Sequence, residues 1–486
     1  MKPIYIKEIV KSVGGTLLCG NENEVVTCVS TNSKKICKGA LFVPIIGERV
    51  DAHQFIEGAF LLGAKATFTS KQAIPMDCIG EEIYIYVKDT KRALQDFAAY
   101  YRSLFTLPVI GITGSVGKTT TKEMVAAALE TTYTVLKTAG NMNSQIGLAL
   151  MMFEIDDTTE IAVIEMGMSE EGEMNRLSQI AKPETVVMTN IGVSHIGHLG
   201  SKENIRNEKL NSINEMKQGG SLYLNQEDIL LKEVGKVDTI KASALTKTVL
   251  SKVNCRYYGL DETADAYAKD IETKGYETEF TYVDGIEEES VILSVLGIHN
   301  VGNAVAALMV AKQYNVEPGV AKLGLRTYAP IAMRGQIYDE NGIIIIDDTY
   351  NASPDSIKSG MDVLLELNGI KRKIAVLADI LELGALSFDC HFEIGESLAS
   401  NNTDKKIEVL VTIGKEAKAI ANGAKSKKTS MCIKSFEDNK SAIAYLKSMV
   451  REGDALFIKG SRGMQLEQVV DALRETCKNG WNPSCK

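Results

Sequence analysis

Residues 114–120 read Gly-Ser-Val-Gly-Lys-Thr-Thr and stand between an apolar, strand-like run from Leu107 to Thr113 and a helix-like run from Lys122 to Leu129. A strand that turns through glycines into a helix confines this part of the chain to an α/β sheet, with the loop at the strand's carboxyl end. Such a turn has the chemistry of a phosphate cradle. Gly114 and Gly117 let the backbone approach phosphate oxygens, with Ser115, Val116 and Thr120 completing the loop. The helix N-terminus adds partial positive charge, Lys118 reaches the terminal phosphates, and the Thr119 hydroxyl suits a magnesium ion. The pattern Gly-x4-Gly-Lys-Ser/Thr is not fully met. Its first glycine falls on Ile112, which leaves the shorter core Gly-x-x-Gly-Lys-Thr. The segment predicts binding of a nucleoside triphosphate.

A chain of 486 residues exceeds one ordinary core, and at roughly 150 residues per domain it amounts to about three. Its 45% hydrophobic and 24% charged residues are ordinary for a globular protein. The longest apolar runs, such as Ile343 to Ile346, are strand-sized and far below the ~20 residues that span a bilayer. The start, Met-Lys-Pro-Ile-Tyr-Ile-Lys-Glu, has no continuous apolar stretch of the secretory kind. A cytoplasmic protein without membrane insertion is expected. A formal charge of −9 with mixed signs argues against nucleic acid as a partner, because phosphate-backbone affinity needs clustered Lys and Arg. The cluster Lys425 to Lys428 reads as a solvated loop. Nine cysteines are scattered without a Cys-x-x-Cys pair, which predicts free thiols rather than a metal or disulfide framework.

The periodicities divide the chain into 1–90, 91–328 and 329–486. The first part is a small α/β module, with strand-like Leu41 to Ile46, helical Phe55 to Leu62 and strand-like Ala66 to Thr69. A helix-like stretch from Thr90 to Leu104 leads to the glycine loop. Strands follow at Ile161 to Glu165, Thr185 to Thr189 and Ser221 to Leu224, alternating with helical patterns, which reads as a mainly parallel sheet. A β-rich stretch from Cys255 to Leu296 ends in a helix from Val301 to Tyr314. The last part places strands at Ile343 to Ile346, Ile374 to Leu377, Val409 to Ile413, Ser430 to Ile433 and Ala455 to Ile458, a Rossmann-like alternation. No Gly-x-Gly-x-x-Gly follows its first strand, which weighs against a dinucleotide there. The tail Asn479 to Lys486 reads as an ordinary terminal segment.

Several residues are placed for chemistry. Glu165 ends an apolar strand and would share a sheet edge with the loop, suited to a magnesium held by Thr119. His195, in a glycine-rich loop after the strand at Thr185, would share the same edge. Lys209 lies on a helix starting near Ser201, where a surface lysine is the ordinary reading. Arg334 offers a guanidinium fork suited to phosphoryl oxygens. Asp347 and Asp348 end the strongest apolar strand, where a carboxylate suits ribose hydroxyls. Asn300 and Asn303 flank a helix start; an N-cap is one reading of Asn300, and a pair of amides reading a base edge is the other.

Together these segments resemble the Mur ligase family over nearly the whole chain. Gly114-Ser-Val-Gly-Lys-Thr-Thr is similar to its phosphate loop, Glu165-Met-Gly to its magnesium glutamate, and Leu296-Gly-Ile-His-Asn-Val-Gly-Asn-Ala to its adenine segment. Three more stretches resemble the members that add D-alanyl-D-alanine: Asp347-Asp-Thr-Tyr-Asn-Ala-Ser-Pro-Asp-Ser, Leu381-Glu-Leu-Gly followed by His391, and Lys459-Gly-Ser-Arg-Gly-Met-Gln-Leu-Glu. Gly39 to Ile56 is similar to their UDP-sugar domain. Departures are Asn32-Ser33-Lys34 where Asp-Ser-Arg is usual, Ser144 and Ala149 where Asn and Pro are commoner, and Ala378 in place of Gly.

The resemblance implies three domains: a small α/β UDP-sugar domain, a phosphate-loop ATPase domain with a mainly parallel sheet, and a Rossmann-like C-terminal domain. It implies an ATP- and Mg2+-dependent, ADP-forming ligase acting as a monomer on UDP-N-acetylmuramoyl tripeptide (UDP-MurNAc-tripeptide) and D-alanyl-D-alanine (D-Ala-D-Ala). Lys118 and Arg334 would face the transferred phosphoryl group. Thr119, Glu165 and His195 would hold metal, as would Lys209 in carbamylated form. Ser33, Asn141, Asn143, Ser144 and Asn351 would contact substrate. A related amide ligase with another amino component, or a nucleotide-binding regulatory protein, would use the same loop; the absence of an Asn-Lys-x-Asp segment weighs against a GTPase.

Overall fold

The computed structural model describes residues 1–71, 82–235, 240–400, 406–427 and 429–478. Three main sheets follow one another along the chain. The first runs in the order Thr16–Cys19, Ile83–Tyr86, Ala64–Thr69, Ala40–Phe42, Cys28–Ser30. The helix Thr90–Ser103 mounts it on the middle of the molecule. Asp89 caps that helix by accepting from the Arg92 amide, and Leu94, Phe97 and Tyr101 are buried in a core shared by both parts. Tyr101 Oη accepts from the Lys2 amide at 2.7 Å and donates to the Ile155 carbonyl at 2.8 Å, so one side chain ties the first residues to the central part.

The central sheet has nine strands, with Val109–Thr113 between Ile161–Glu165 and Thr185–Met188, all parallel. Every residue of these three strands is buried, as runs of β-branched residues covered on both faces require. Glu165 is in register with Ile112, and Met188 with Thr113. Their carboxyl ends therefore deliver the glycine loop, Glu165 and the segment from Thr189 to His195 to one edge. The helix Ile298–Gln313 is apolar almost all round and is buried against the helix Lys118–Leu129.

The last sheet runs Gln336–Glu340, Ile343–Asp347, Asp454–Lys459, Arg372–Ala378, Val409–Ile413, Cys432–Phe436, parallel except for the first pair. Separate apolar clusters cover its two faces. The final strand is inserted between the first two parallel strands, so the carboxyl ends of Ile343–Asp347 and Asp454–Lys459 meet at the edge facing the central sheet.

Some elements differ from expectation. The helix after the glycine loop begins at Lys118, four residues before the apolar period starts. Its Thr119-Thr-Thr stretch is β-branched and a weak helix former, yet Thr119 and Thr121 are held by bonds to Glu165 and Asn303. The edge strand expected from Ser430 is Cys432–Phe436, because its parallel register starts where Cys432 meets Val409. Lys425 lies in the helix Lys418–Ser426 rather than in a loop, and Lys428 and the tail from Asn479 lie outside the described residues. The cysteine expectation fails for one pair. Cys28 and Cys37 form a disulfide across 6.9 Å between Cα atoms. The parallel strands Cys28–Ser30 and Ala40–Phe42 return the chain beside itself, a closure that a nine-residue separation without a Cys-x-x-Cys signature does not announce. Cys19, Cys255, Cys390, Cys432 and Cys477 are free, and Cys78 and Cys485 lie outside the described residues. Among the described residues no helix is long and apolar enough to cross a membrane.

Candidate functional site

Between the central and C-terminal sheets lies a cleft of about 690 Å³, lined from one side by the glycine loop and from the other by residues 334–363 and Lys459. The loop's shape is set by two glycines. Gly114 has φ 145°, and a Cβ there would lie 3.1 Å from both the Cβ and the amide nitrogen of Thr189 and closer still to its hydroxyl. Gly117 is left-handed, with φ 84°, and caps the helix Lys118–Leu129. The helix amides of Lys118, Thr119 and Thr120 have no intrahelical acceptor and are available to an anion. The amides of Ser115 and Val116 are engaged differently from the expectation that the whole loop faces phosphate. Both donate to Asn190 Oδ1, at 3.1 and 2.8 Å, which buttresses the loop from behind.

Two lysines converge on the loop. Lys118 Nζ donates to the carbonyls of Gly114 and Ser115, and Lys209 Nζ donates to the same Gly114 carbonyl at 2.9 Å. Lys209 is 2% exposed, so the ordinary reading of a surface lysine does not hold. Burial first, then the neighbouring Lys118 ammonium, pushes it well below the usual lysine range. Lys118 is lowered by burial as well, opposed by Glu165. Two lysine side chains from separate elements thus meet on one carbonyl of the loop.

Glu165 is buried, with both oxygens occupied: Thr119 Oγ1 donates to Oε2 at 2.9 Å and Asn143 Nδ2 to Oε1 at 2.7 Å. Thr119 and Glu165 present hard oxygens of the kind magnesium prefers. Among the described residues no three His, Cys, Asp or Glu groups cluster as a metal cage. His195 lines the same cleft in a left-handed conformation, φ 63°, with Nδ1 3.0 Å from Glu382 Oε2 of the C-terminal part.

Across the cleft, Arg334 stacks its guanidinium 3.9 Å above the Tyr350 ring. Asp348 lines the cleft and pairs with the buried Lys459 at 2.5 Å. Asp347 turns inward, accepting from the Thr349 amide and hydroxyl. Asn300 is not an N-cap. The helix starts at Ile298 behind Gly297, and Asn300 Nδ2 donates to the Leu296 carbonyl at 2.7 Å. Asn303 Oδ1 accepts from Thr121 Oγ1 at 3.0 Å, coupling the helix Ile298–Gln313 to the helix that follows the glycine loop.

Asn141, Asn143, Ser144 and Asn351 all line the cleft. Ser144 also caps the helix Gln145–Met152. Ser33 lies apart, on the loop closed by the Cys28–Cys37 disulfide. Sequence reasoning passed over Asn190, Thr121 and Lys459 as site residues. Each lies within two residues of a segment that was singled out, but only the fold shows which way its side chain turns.

The arrangement is matched in known proteins. The Mur ligase family, catalytic domain, matches residues 25–102, the Mur ligase middle domain 112–311, and the Mur ligase, glutamate ligase domain 333–462. UDP-N-acetylmuramoyl-tripeptide–D-alanyl-D-alanine ligase of Bacillus subtilis (strain 168) is 38% identical over 474 residues, covering 97% of this chain and 98% of that protein. A crystal structure of MurF from Acinetobacter baumannii superposes with a TM-score of 0.86 at 28% identity, covering 98% and 99% of the two chains. MurF ligase from Thermotoga maritima in complex with ADP gives 0.79 at 27% identity, covering 93% and 98%. With all three Mur ligase domains matched in order along the chain and a relative 38% identical over nearly the full length of both chains, this chain belongs to the Mur ligase family.

Proposed function

We propose that this chain is an ATP-dependent, ADP-forming ligase that joins D-Ala-D-Ala to UDP-MurNAc-tripeptide, yielding UDP-MurNAc-pentapeptide, a peptidoglycan precursor. The observation that carries the reading is the convergence of Lys118 and Lys209 on the Gly114 carbonyl, beside Thr119 and Glu165, in a chain 38% identical to a ligase of that name. Residues 1–90 hold the UDP sugar, 91–328 hold ATP, and 329–486 close over the joint site. The enzyme works as a monomer in the cytoplasm, where ATP and UDP-activated sugars are found.

A carboxylate is a poor electrophile, so the peptide's terminal carboxylate first takes the γ-phosphoryl group of ATP. This forms an acyl phosphate and releases ADP. The D-Ala-D-Ala amine then attacks the acyl carbon, and a tetrahedral intermediate collapses with loss of phosphate. Little covalent chemistry falls to the protein, whose work is positioning and charge neutralisation. The amides of Lys118, Thr119 and Thr120 and the side chains of Lys118 and Arg334 bind the phosphates and stabilise the charge that develops on transfer. Asn300 and Asn303 address the base, and Asp348 the ribose. Asn141, Ser144 and Asn351 line the route to the acceptor carboxylate, Asn143 orients Glu165, and Ser33 belongs to the UDP-sugar end.

Thr119, Glu165 and His195 would hold Mg2+, which when bound supplies positive charge to the phosphate oxygens. Lys209 joins them if carbamylated. Its burial favours the uncharged amine, the form that adds CO2, and the product carboxylate would sit against Lys118 rather than opposing it. Closure by the C-terminal part excludes the water that would hydrolyse an acyl phosphate.

The test is phosphate release from ATP and Mg2+ with UDP-MurNAc-tripeptide, with and without D-Ala-D-Ala, followed by product mass. Release that needs both substrates and yields the pentapeptide is expected. Release only with another dipeptide moves the substrate. ATP binding without release for any acceptor refutes the ligase reading.

A further inference from the structure

The stretch Leu381-Glu-Leu-Gly has no place in the mechanism above, yet it makes a pointed contact. Its carrier loop is anchored inside the C-terminal part. His391, fully buried, accepts from the Ile380 amide through Nε2 at 3.0 Å while its Nδ1 faces the Ser387 carbonyl at 2.6 Å. Ser461 Oγ accepts from the Leu381 amide at 2.9 Å. From this support Glu382 reaches across to the central part, where its Oε2 lies 3.0 Å from His195 Nδ1. The two backbones touch beside the pair, since a Cβ on Gly197 would lie 3.3 Å from the Glu382 carbonyl. Val193 packs into the apolar cores of both parts.

Both residues of the pair carry a side chain in left-handed backbone, His195 at φ 63° and Glu382 at φ 68°. That conformation costs energy where a Cβ is present, and it persists where surrounding structure imposes it. The Glu382 side chain is 61% exposed, and an exposed ion pair adds little to stability. Stability therefore does not account for two strained residues meeting here. Geometry toward the cleft does. A carboxylate that accepts from Nδ1–H fixes the ring's orientation and tautomer and leaves Nε2 with its lone pair. Among the described residues His195 Nε2 has no hydrogen-bond partner.

We propose that Glu382 is a positioning residue for the ATP site, holding the His195 ring from across the cleft so that the central part's ligand set is complete only when the C-terminal part is docked. This rests on the reading of His195 given under the proposed function.

Three substitutions test it. Glu382→Ala removes the acceptor, Glu382→Gln keeps one without charge, and Glu382→Gly removes the acceptor while relieving the left-handed backbone. The first readout needs no substrate. The chain has five histidines, so the ¹⁵N imidazole spectrum of the whole protein resolves His195. The unsubstituted protein should show the Nδ1–H tautomer there, and the Ala and Gly variants should lose it. The second readout is phosphate release: Ala and Gly should lower kcat about 10- to 100-fold, the usual effect of removing such a partner, with KM for the UDP-sugar substrate within about threefold and Gln close to the unsubstituted enzyme. The Gly variant should melt no lower than the parent, which separates lost orientation from lost folding. An unchanged His195 tautomer in Glu382→Ala, full kcat in Glu382→Gly, or a Gln variant as impaired as Ala would overturn the proposal. If the parent releases no phosphate the ligase reading fails, and the tautomer alone then decides the positioning of His195: a change in the Ala and Gly variants supports it and an unchanged tautomer overturns it.

Discussion

Replacing Gly114 by alanine should disable the phosphate cradle without unfolding the protein. At φ 145° the backbone lies where side chains are strained, and the new Cβ would crowd Thr189 from its amide to its hydroxyl. Backbone strain of this kind costs about 1–3 kcal/mol. Thr189 Oγ1 donates to the Val116 carbonyl at 2.5 Å and must turn away, at a further cost of about 1 kcal/mol for the lost hydrogen bond. The total, about 2–4 kcal/mol, converts at 1.4 kcal/mol per decade to a loss of about 30- to 700-fold in nucleotide affinity if the loop shifts to escape. Titration calorimetry with ADP measures it, with thermal unfolding alongside to confirm that the protein is folded. ADP binding within about threefold of the parent at an unchanged Tm would show that the loop does not depend on this close approach, and the argument from Gly114 would fail.

Asn143→Ala frees Glu165 Oε1 from its 2.7 Å partner; the Mg2+ concentration for half-maximal phosphate release should rise about tenfold, as for other residues that orient a ligand, and an unchanged Mg2+ titration would refute it. Asp454 is fully buried and takes a two-pronged bond from Arg372, at 2.8 and 2.5 Å; Asp454→Ala should cost about 3 kcal/mol by urea unfolding, and a loss under about 1 kcal/mol, no more than an exposed pair's, would contradict it. Asp51 is held below the ordinary 3.8 first by the His53 amide. A depressed carboxyl contributes stability above its unfolded value and loses it as pH falls through the folded one, so Asp51→Asn should flatten the decline of the urea midpoint below about pH 4, and an equally steep decline would refute this.

The strand, glycine loop and helix from Val109 to Leu129 were legible because their constraints are local. Glycines at fixed offsets, an apolar run before and helical spacing after act within about twenty residues. Buried strands such as Ile161–Glu165 and Val409–Ile413 were readable to the residue, since runs covered on both faces need no partner to declare themselves. The edge strand Cys432–Phe436 was misplaced for the opposite reason. It is polar, pairs on one side, and takes its limits from its neighbour's register. Asn300 reads as a cap from its neighbours, and only the path of the chain through Gly297 shows the helix beginning earlier.

By itself the sequence determined that this chain binds a nucleotide on an α/β sheet and that Lys118, Thr119 and Glu165 would share an edge, because backbone conformation and strand polarity are written in short-range patterns. Tertiary structure alone decided that Lys209 is a buried partner of the loop, 95 residues from the carbonyl it bonds. It likewise decided that Asn303 grips Thr121 from 182 residues away, that Cys28 meets Cys37, and that Glu382 closes on His195. Those meetings depend on strand order and on the docking of one sheet against another. Both are settled by the packing of whole faces, and no residue's immediate neighbours carry that information.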